Sequence, residues 1–144
     1  MNTQITILVS IAVIALPLLT GCIESDDDKD SDDITWMVYS DGLQEGKDQE
    51  KPILIDLYAD WCGPCQQMET DTYTNPAVID MILEEFIPVK INTDTQPSLA
   101  SQYSVQYIPT IVYLTPNGIE VHRTVGYRSA AQITADMHTA LQNM

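Results

Sequence analysis

The sequence predicts an α/β domain in which a mixed β-sheet is flanked by helices, and three observations carry that reading. Strand-like and helix-like segments alternate from Trp36 to the end of the chain. The run Ile53 to Tyr58 is apolar almost without a break, as a strand covered on both faces requires. Toward the C-terminus, Thr110 to Leu114 and Ile119 to Val125 are two strand patterns joined at Pro116-Asn117-Gly118, a turn composition that links antiparallel neighbours.

Taken in order, Trp36 to Tyr39 reads as a short strand. A helix from Ser40 comes next, weakened by Gly42 and Gly46, because glycine costs about 1 kcal/mol relative to alanine in a helix interior. Ile53 to Tyr58 is the central strand, and a helix begins at Cys62. Asn75-Pro76 interrupts or restarts that helix, since Asn caps well and Pro suits a first turn; Val78, Ile82 and Phe86 then mark one face. Phe86 to Ile91 is the next strand and Pro97 to Tyr103 a short helix. After the antiparallel pair, Ser129 to Leu141 closes the chain as a helix. Ser129 and Gln132 are spaced as a capping box, and Ile133, Met137 and Leu141 share the buried face.

The chain has 144 residues, enough for one domain that buries a core without disulfide staples. Two segments precede that domain. Ile5 to Leu19 is apolar apart from Thr6 and Ser10, the length of a signal-peptide core and shorter than the roughly 20 residues of a membrane span. Leu19-Thr20-Gly21-Cys22 resembles a lipobox, so residues 1–21 read as a signal peptide and Cys22 as a lipid anchor. No Lys or Arg precedes the apolar stretch, and an uncleaved N-terminal anchor is the alternative; with either, the domain lies on the extracytoplasmic side. From Glu24 to Asp33 the chain carries seven acids and Lys29 alone among bases. Such a run self-repels and buries nothing, so residues 22–33 form an acidic tether and 34–144 the domain. Within that domain fourteen acids face five bases, a balance of −9, which argues against nucleic acid as a partner.

Cys62-Gly63-Pro64-Cys65 is the motif that carries chemistry. On the first turn of a helix, residues three apart share a face, so two sulfurs at this spacing come within bonding reach. Unpaired N–H groups at the helix start favour a thiolate, which makes Cys62 the candidate nucleophile. Cys65, one turn in and expected to be more buried, is placed to attack a mixed disulfide on Cys62. Gly63 permits close approach of a partner backbone, and Pro64 presets a helical φ. A zinc site would need His122 and His138 as further ligands, and their separation lacks the usual ligand spacing. A purely structural disulfide closing so small a loop would constrain the unfolded chain little. Reversible disulfide chemistry is the stronger reading.

The segment Asp56-Leu57-Tyr58-Ala59-Asp60-Trp61-Cys62-Gly63-Pro64-Cys65 resembles the active-site segment of the thioredoxin superfamily, and most of residues 36 to 144 share that likeness. Lys51-Pro52, Glu69, Thr70, Pro76 and Val78 are more similar to the C-terminal periplasmic domain of the transmembrane thiol:disulfide interchange proteins than to cytosolic thioredoxin. Ile108-Pro109-Thr110 resembles the cis-proline loop that faces the thiols in this fold. Gln66 departs from the Lys common in thioredoxins, and the mid-helix proline of thioredoxin is absent. The resemblance implies a thioredoxin-like fold.

It also implies roles for residues outside the motif. Asp56 interrupts a strand that otherwise reads as buried, where an ionised carboxylate is costly and its pKa should rise. The family places an Asp here beneath the second thiol, which makes Asp56 the candidate acceptor of the Cys65 proton; a strand-end Asp facing solvent is the alternative. Resemblance makes Ile108–Pro109 a cis bond, turning the Ile108 backbone toward an extended substrate segment. Trp61 and Tyr58 read first as packing residues, with Trp61 also on the substrate rim beside Gly63 and Pro64. Lys90 either tunes Asp56 or lies on the surface. His122 and His138 are assigned no chemistry, and the remaining tyrosines read as half-buried.

The expected function is an extracytoplasmic, membrane-tethered thiol:disulfide oxidoreductase. Gly63-Pro64 resembles reducing thioredoxins, whereas strongly oxidising relatives carry His between the cysteines, so reduction of protein disulfides is the favoured direction. The resemblance implies a transmembrane thiol carrier as electron donor and disulfide-bonded secreted proteins or apocytochrome c as acceptors. No metal or organic cofactor is implied beyond the Cys62–Cys65 disulfide. An oxidase or isomerase, or a non-catalytic binding module of the same fold, are the alternatives.

Overall fold

The computed structural model describes residues 33–144. The predicted signal segment, Cys22 and all of the acidic tether but Asp33 lie outside the described residues. Ten elements succeed one another: α1 (Tyr39–Asp48), β1 (Ile53–Tyr58), α2 (Gly63–Gln67), a π-helical turn (Met68–Thr72), α3 (Pro76–Glu85), β2 (Ile87–Asn92), α4 (Pro97–Gln102), β3 (Thr110–Leu114), β4 (Glu120–Val125) and α5 (Ala130–Gln142).

The strands form one sheet in the order β2-β1-β3-β4. β1 runs parallel to β2 and antiparallel to β3, and β3 pairs antiparallel with β4, so the sheet is mixed. Successive strand residues point to opposite faces. Ile53, Ile55 and Leu57 of β1 therefore join Ile87, Val89, Ile91, Val112 and Leu114 in one core layer, which Leu43 of α1 and Leu99 of α4 help to cover. Leu54 faces the other way, into a layer with Met68, Val78, Ile82, Phe86, Tyr113 and Ile133 under the π turn, α3 and α5. Asp56 shares the Leu54 face by the same alternation.

Local signals set most boundaries. Asn75 caps α3, its side chain accepting from Ala77 N (3.1 Å) and Val78 N (3.4 Å), with Pro76 in the first turn. The Ser129–Gln132 capping box is formed at the start of α5. The predicted strand from Trp36 to Tyr39 is a correction: only one bridge forms, Met37 to Val89, because the chain turns into α1 at Tyr39. The glycines of α1 are also better placed than their propensity suggests. A Cβ on Gly42 would lie 2.1 Å from Val89 Cγ2, and one on Gly46 would lie 2.7 Å from Ile53, so the pair lets the helix approach the sheet.

Candidate active site

The central strand β1 ends at Tyr58, and a turn closed by Cys62 N–H donating to Ala59 O (3.1 Å) leads into α2. Cys62 is the N-cap of α2; its backbone is extended, and its Sγ accepts from the Cys65 N–H at 3.2 Å. The sulfur thus takes the place a Ser or Asp oxygen holds in an ordinary cap, against N–H groups that have no other partner. Cys62 and Cys65 form a disulfide with their Cα atoms 5.2 Å apart. Both residues are 3% exposed, so the expected difference in depth is not seen in the disulfide form. Beside them Gly63 is exposed, and a side chain there would meet nothing of this protein within 4 Å, which leaves that approach clear for a partner.

The Ile108–Pro109 bond is cis. Ile108 packs on the small cluster of Ala59, Cys62 and Cys65, so the loop before β3 does meet the cysteines. Trp61 is placed differently from the packing role expected of it. It is 71% exposed, and its indole N–H donates to Asp94 at 2.7 Å, which fixes the ring on the surface. Trp61, Thr93, Val105, Tyr107 and Ile108 line a shallow groove of about 170 Å³ next to the disulfide. Tyr107 is as exposed as Trp61, giving the groove two aromatic walls.

On β1, Asp56 is 2% exposed and its Oδ1 has no hydrogen-bond partner. Burial pushes its pKa from 3.8 up to about 7; the Lys90 charge pulls it down, Glu69 pushes it up, and the Tyr73 hydroxyl pulls it down. Lys90 sits opposite Asp56 in the β1–β2 register and pairs with Glu69. Its ammonium also lies 4.9 Å from the ring centres of Trp36 and Tyr58 and 5.7 Å from that of Tyr73. Cys65, Glu69 and Lys90 line one cavity of about 150 Å³ together with Tyr58 and Gln66.

The two histidines stand apart from this cluster. His122 pairs with Asp136 at 3.9 Å and stacks on Tyr113, while His138 lines a groove between α3 and α5. Among the described residues, no group of three or more His, Cys, Asp or Glu is arranged to hold a metal ion.

Residues 37–139 match the family model for thioredoxin. The chain belongs to the thioredoxin family. A thioredoxin-like protein from Synechocystis is 43% identical over 83 residues, 58% of this chain and 75% of that one. The thioredoxin of Alicyclobacillus acidocaldarius is 32% identical over 116 residues, 75% of this chain and 99% of that one. Among solved structures, a thioredoxin from Thermus thermophilus superposes with a TM-score of 0.69 at 25% identity, covering 75% of this chain and 87% of its own. A putative disulphide-isomerase from Bacteroides thetaiotaomicron reaches 0.68 at 21% identity, covering 79% and 98%, a likeness of fold.

A bonded cysteine pair at this position of this fold makes the protein a thiol:disulfide oxidoreductase, with the disulfide itself as the redox-active group. Sequence reasoning found the cysteines, Ile108 and, at Asp56, Lys90, and missed the other residues around that lysine. Tyr73 and Trp36 carry no motif, and only the chain's tertiary course brings them to Lys90. One signal was available for Glu69, which stands four residues after Cys65 and so on the same side of the helical segment.

Proposed function

We propose that this protein is an extracytoplasmic, membrane-tethered reductase of protein disulfides, of the kind found as the C-terminal domain of the transmembrane interchange proteins. The observation that carries the reading is the Cys62–Cys65 disulfide capping α2 beside the cis Ile108–Pro109 bond and an open aromatic groove. Gly63-Pro64 between the cysteines supports the reducing direction. Lys51-Pro52, Glu69, Thr70, Pro76 and Val78 support the interchange-type affiliation. The apolar stretch to Leu19 and the lipobox ending at Cys22 support the tether, with lipid on Cys22 the membrane contact.

In the reduced protein Cys62 acts as a thiolate and attacks one sulfur of a substrate disulfide, and the substrate's other sulfur leaves as a thiolate. Cys65 then gives its proton to the Asp56 carboxylate. The Cys65 thiolate attacks Cys62, the second substrate sulfur departs, and the Cys62–Cys65 disulfide closes. Two electrons have passed to the substrate, and a dithiol donor restores the protein. Trp61, Gly63, Pro64, Ile108 and Pro109 form the surface on which an extended substrate segment lies. A transmembrane thiol carrier supplies the electrons, and disulfide-bonded secreted proteins or apocytochrome c receive them.

Two measurements test this. With a dithiol donor the full chain reduces a protein disulfide, Cys62→Ser abolishes that activity, and Cys65→Ser accumulates the mixed disulfide. Retained activity in Cys62→Ser defeats the reading. A redox titration places the potential near about −270 mV for a reductase, and a value well above about −200 mV points to an oxidase or isomerase instead.

A further inference from the structure

We propose that Tyr73 is a positioning residue for Asp56: its buried hydroxyl is the donor that closes onto Asp56 Oδ1 when that carboxyl loses its proton. The inference rests on the proposed role of Asp56 only for its effect on turnover.

Two orphaned polar atoms lead to it. Asp56 Oδ1 and the Tyr73 hydroxyl are both buried without a hydrogen-bond partner, an uncommon state for either group. They are chemically complementary, because a phenol donates and a carboxylate accepts. They share one neighbour, since Lys90 stands opposite Asp56 in the β1–β2 register and its ammonium lies 5.7 Å from the Tyr73 ring centre; consistent with that, the Tyr73 hydroxyl lowers the proton affinity of Asp56, while burial and then the Asp56 charge push the Tyr73 phenol well above its usual range. Tyr73 therefore stays a neutral donor at every working pH. Its ring is held from outside by an edge contact with Trp36, the centroids 4.9 Å apart, so the hydroxyl has little freedom to turn away.

The other groups acting on this carboxyl come from different elements. Lys90 on β2 is engaged by Glu69 of the π turn, and Tyr113 on β3 feels the Asp56 charge. Lys90 and Glu69 oppose each other in their effect on Asp56, which leaves the Tyr73 hydroxyl as the neutral group that responds to its ionisation. A buried donor left unpaired while Asp56 is protonated carries a desolvation cost, which is relieved when the carboxylate forms and accepts from it.

Tyr73→Phe deletes the hydroxyl and keeps the ring against Trp36. The test is the Asp56 titration, monitored by carboxyl carbon NMR in the full chain, beside the pH profile of disulfide reduction. The Asp56 midpoint rises by about one unit in Tyr73→Phe, and the rate profile shifts upward in pH with it. Tyr113→Phe, which removes another buried hydroxyl of the same layer, leaves the midpoint in place. An unmoved midpoint in folded Tyr73→Phe overturns the inference, as does an equal shift in Tyr113→Phe. If the midpoint rises while the rate profile stays fixed, Tyr73 keeps this role and the proposed task of Asp56 in turnover falls.

Discussion

On the side of the sheet that faces α1 and α4, β1 contributes Ile53, Ile55 and Leu57 to a layer made chiefly of branched aliphatic side chains. On the side that faces α3 and α5, the same strand contributes Leu54 and Asp56 to a layer that also holds Tyr73, Tyr113 and Met137. The second layer has unpartnered polar atoms at Asp56, Tyr73 and Tyr113, and the first has none of these. One strand thus builds two interiors, dry on one face and reactive on the other, through nothing more than its two-residue period. Polar groups without partners oppose folding, so the reactive face draws on stability that the dry face supplies.

The largest effect expected from this contrast is at Asp56. Its carboxyl titrates at 3.8 when unfolded and at about 7 when folded. Across that window the unfolded chain has already released a proton that the native protein still holds, so stability falls as pH rises, by about 4 kcal/mol in all once pH exceeds 7. Asp56→Asn removes the loss. Urea midpoints measured from pH 4 to pH 8 should coincide with the wild type at the acid end and lie well above it at pH 8, while disulfide reduction slows. Parallel curves at all pH values would show that the carboxyl is not held protonated by its surroundings.

How far the sequence revealed this arrangement depends on the range of each interaction. The motif, the strand that leads to it, the Asn75 cap and the Ser129 capping box are local, and each was legible from residues within a turn or two. The burial of Asp56 was legible because a lone acid in an apolar run is a chemical anomaly. The exposure of Trp61 was not, since it depends on Asp94, thirty-three positions away in the chain. The π turn at Met68–Thr72 left no composition signal, and the strand expected at Trp36 failed because so short a segment yields to the helix that starts at Tyr39.

A smaller effect is expected from moving polarity to the dry face. Val112 is fully buried between β1 and β4, with Ile55 and Arg123 as its ladder neighbours. Val112→Thr keeps the shape and buries a hydroxyl in an aliphatic layer, at a cost of about 2 kcal/mol. That loss should be the same at pH 4 and pH 8, because nothing that titrates in this window is altered. Denaturant midpoints at both values check it, and a pH-dependent loss would mean that the two layers are electrostatically connected.

The smallest effect is at the contact that seals the dry face. Replacing Gly42 by Ala adds helix propensity worth about 1 kcal/mol and at the same time drives a methyl into Val89, a stiff side chain that is 0% exposed. Overpacking of this kind costs about 1–3 kcal/mol, so the two effects oppose and Gly42→Ala should destabilise by about 1 kcal/mol. The sign is decided by Val89. In Val89→Ala the obstructing methyl groups are gone, the added methyl enters the vacated space, and Gly42→Ala becomes stabilising in that background. A double-mutant cycle on urea unfolding should therefore return a favourable coupling between positions 42 and 89. Zero coupling would mean that the helix moves off the sheet to admit the methyl, and that the glycine is there for some reason other than close approach.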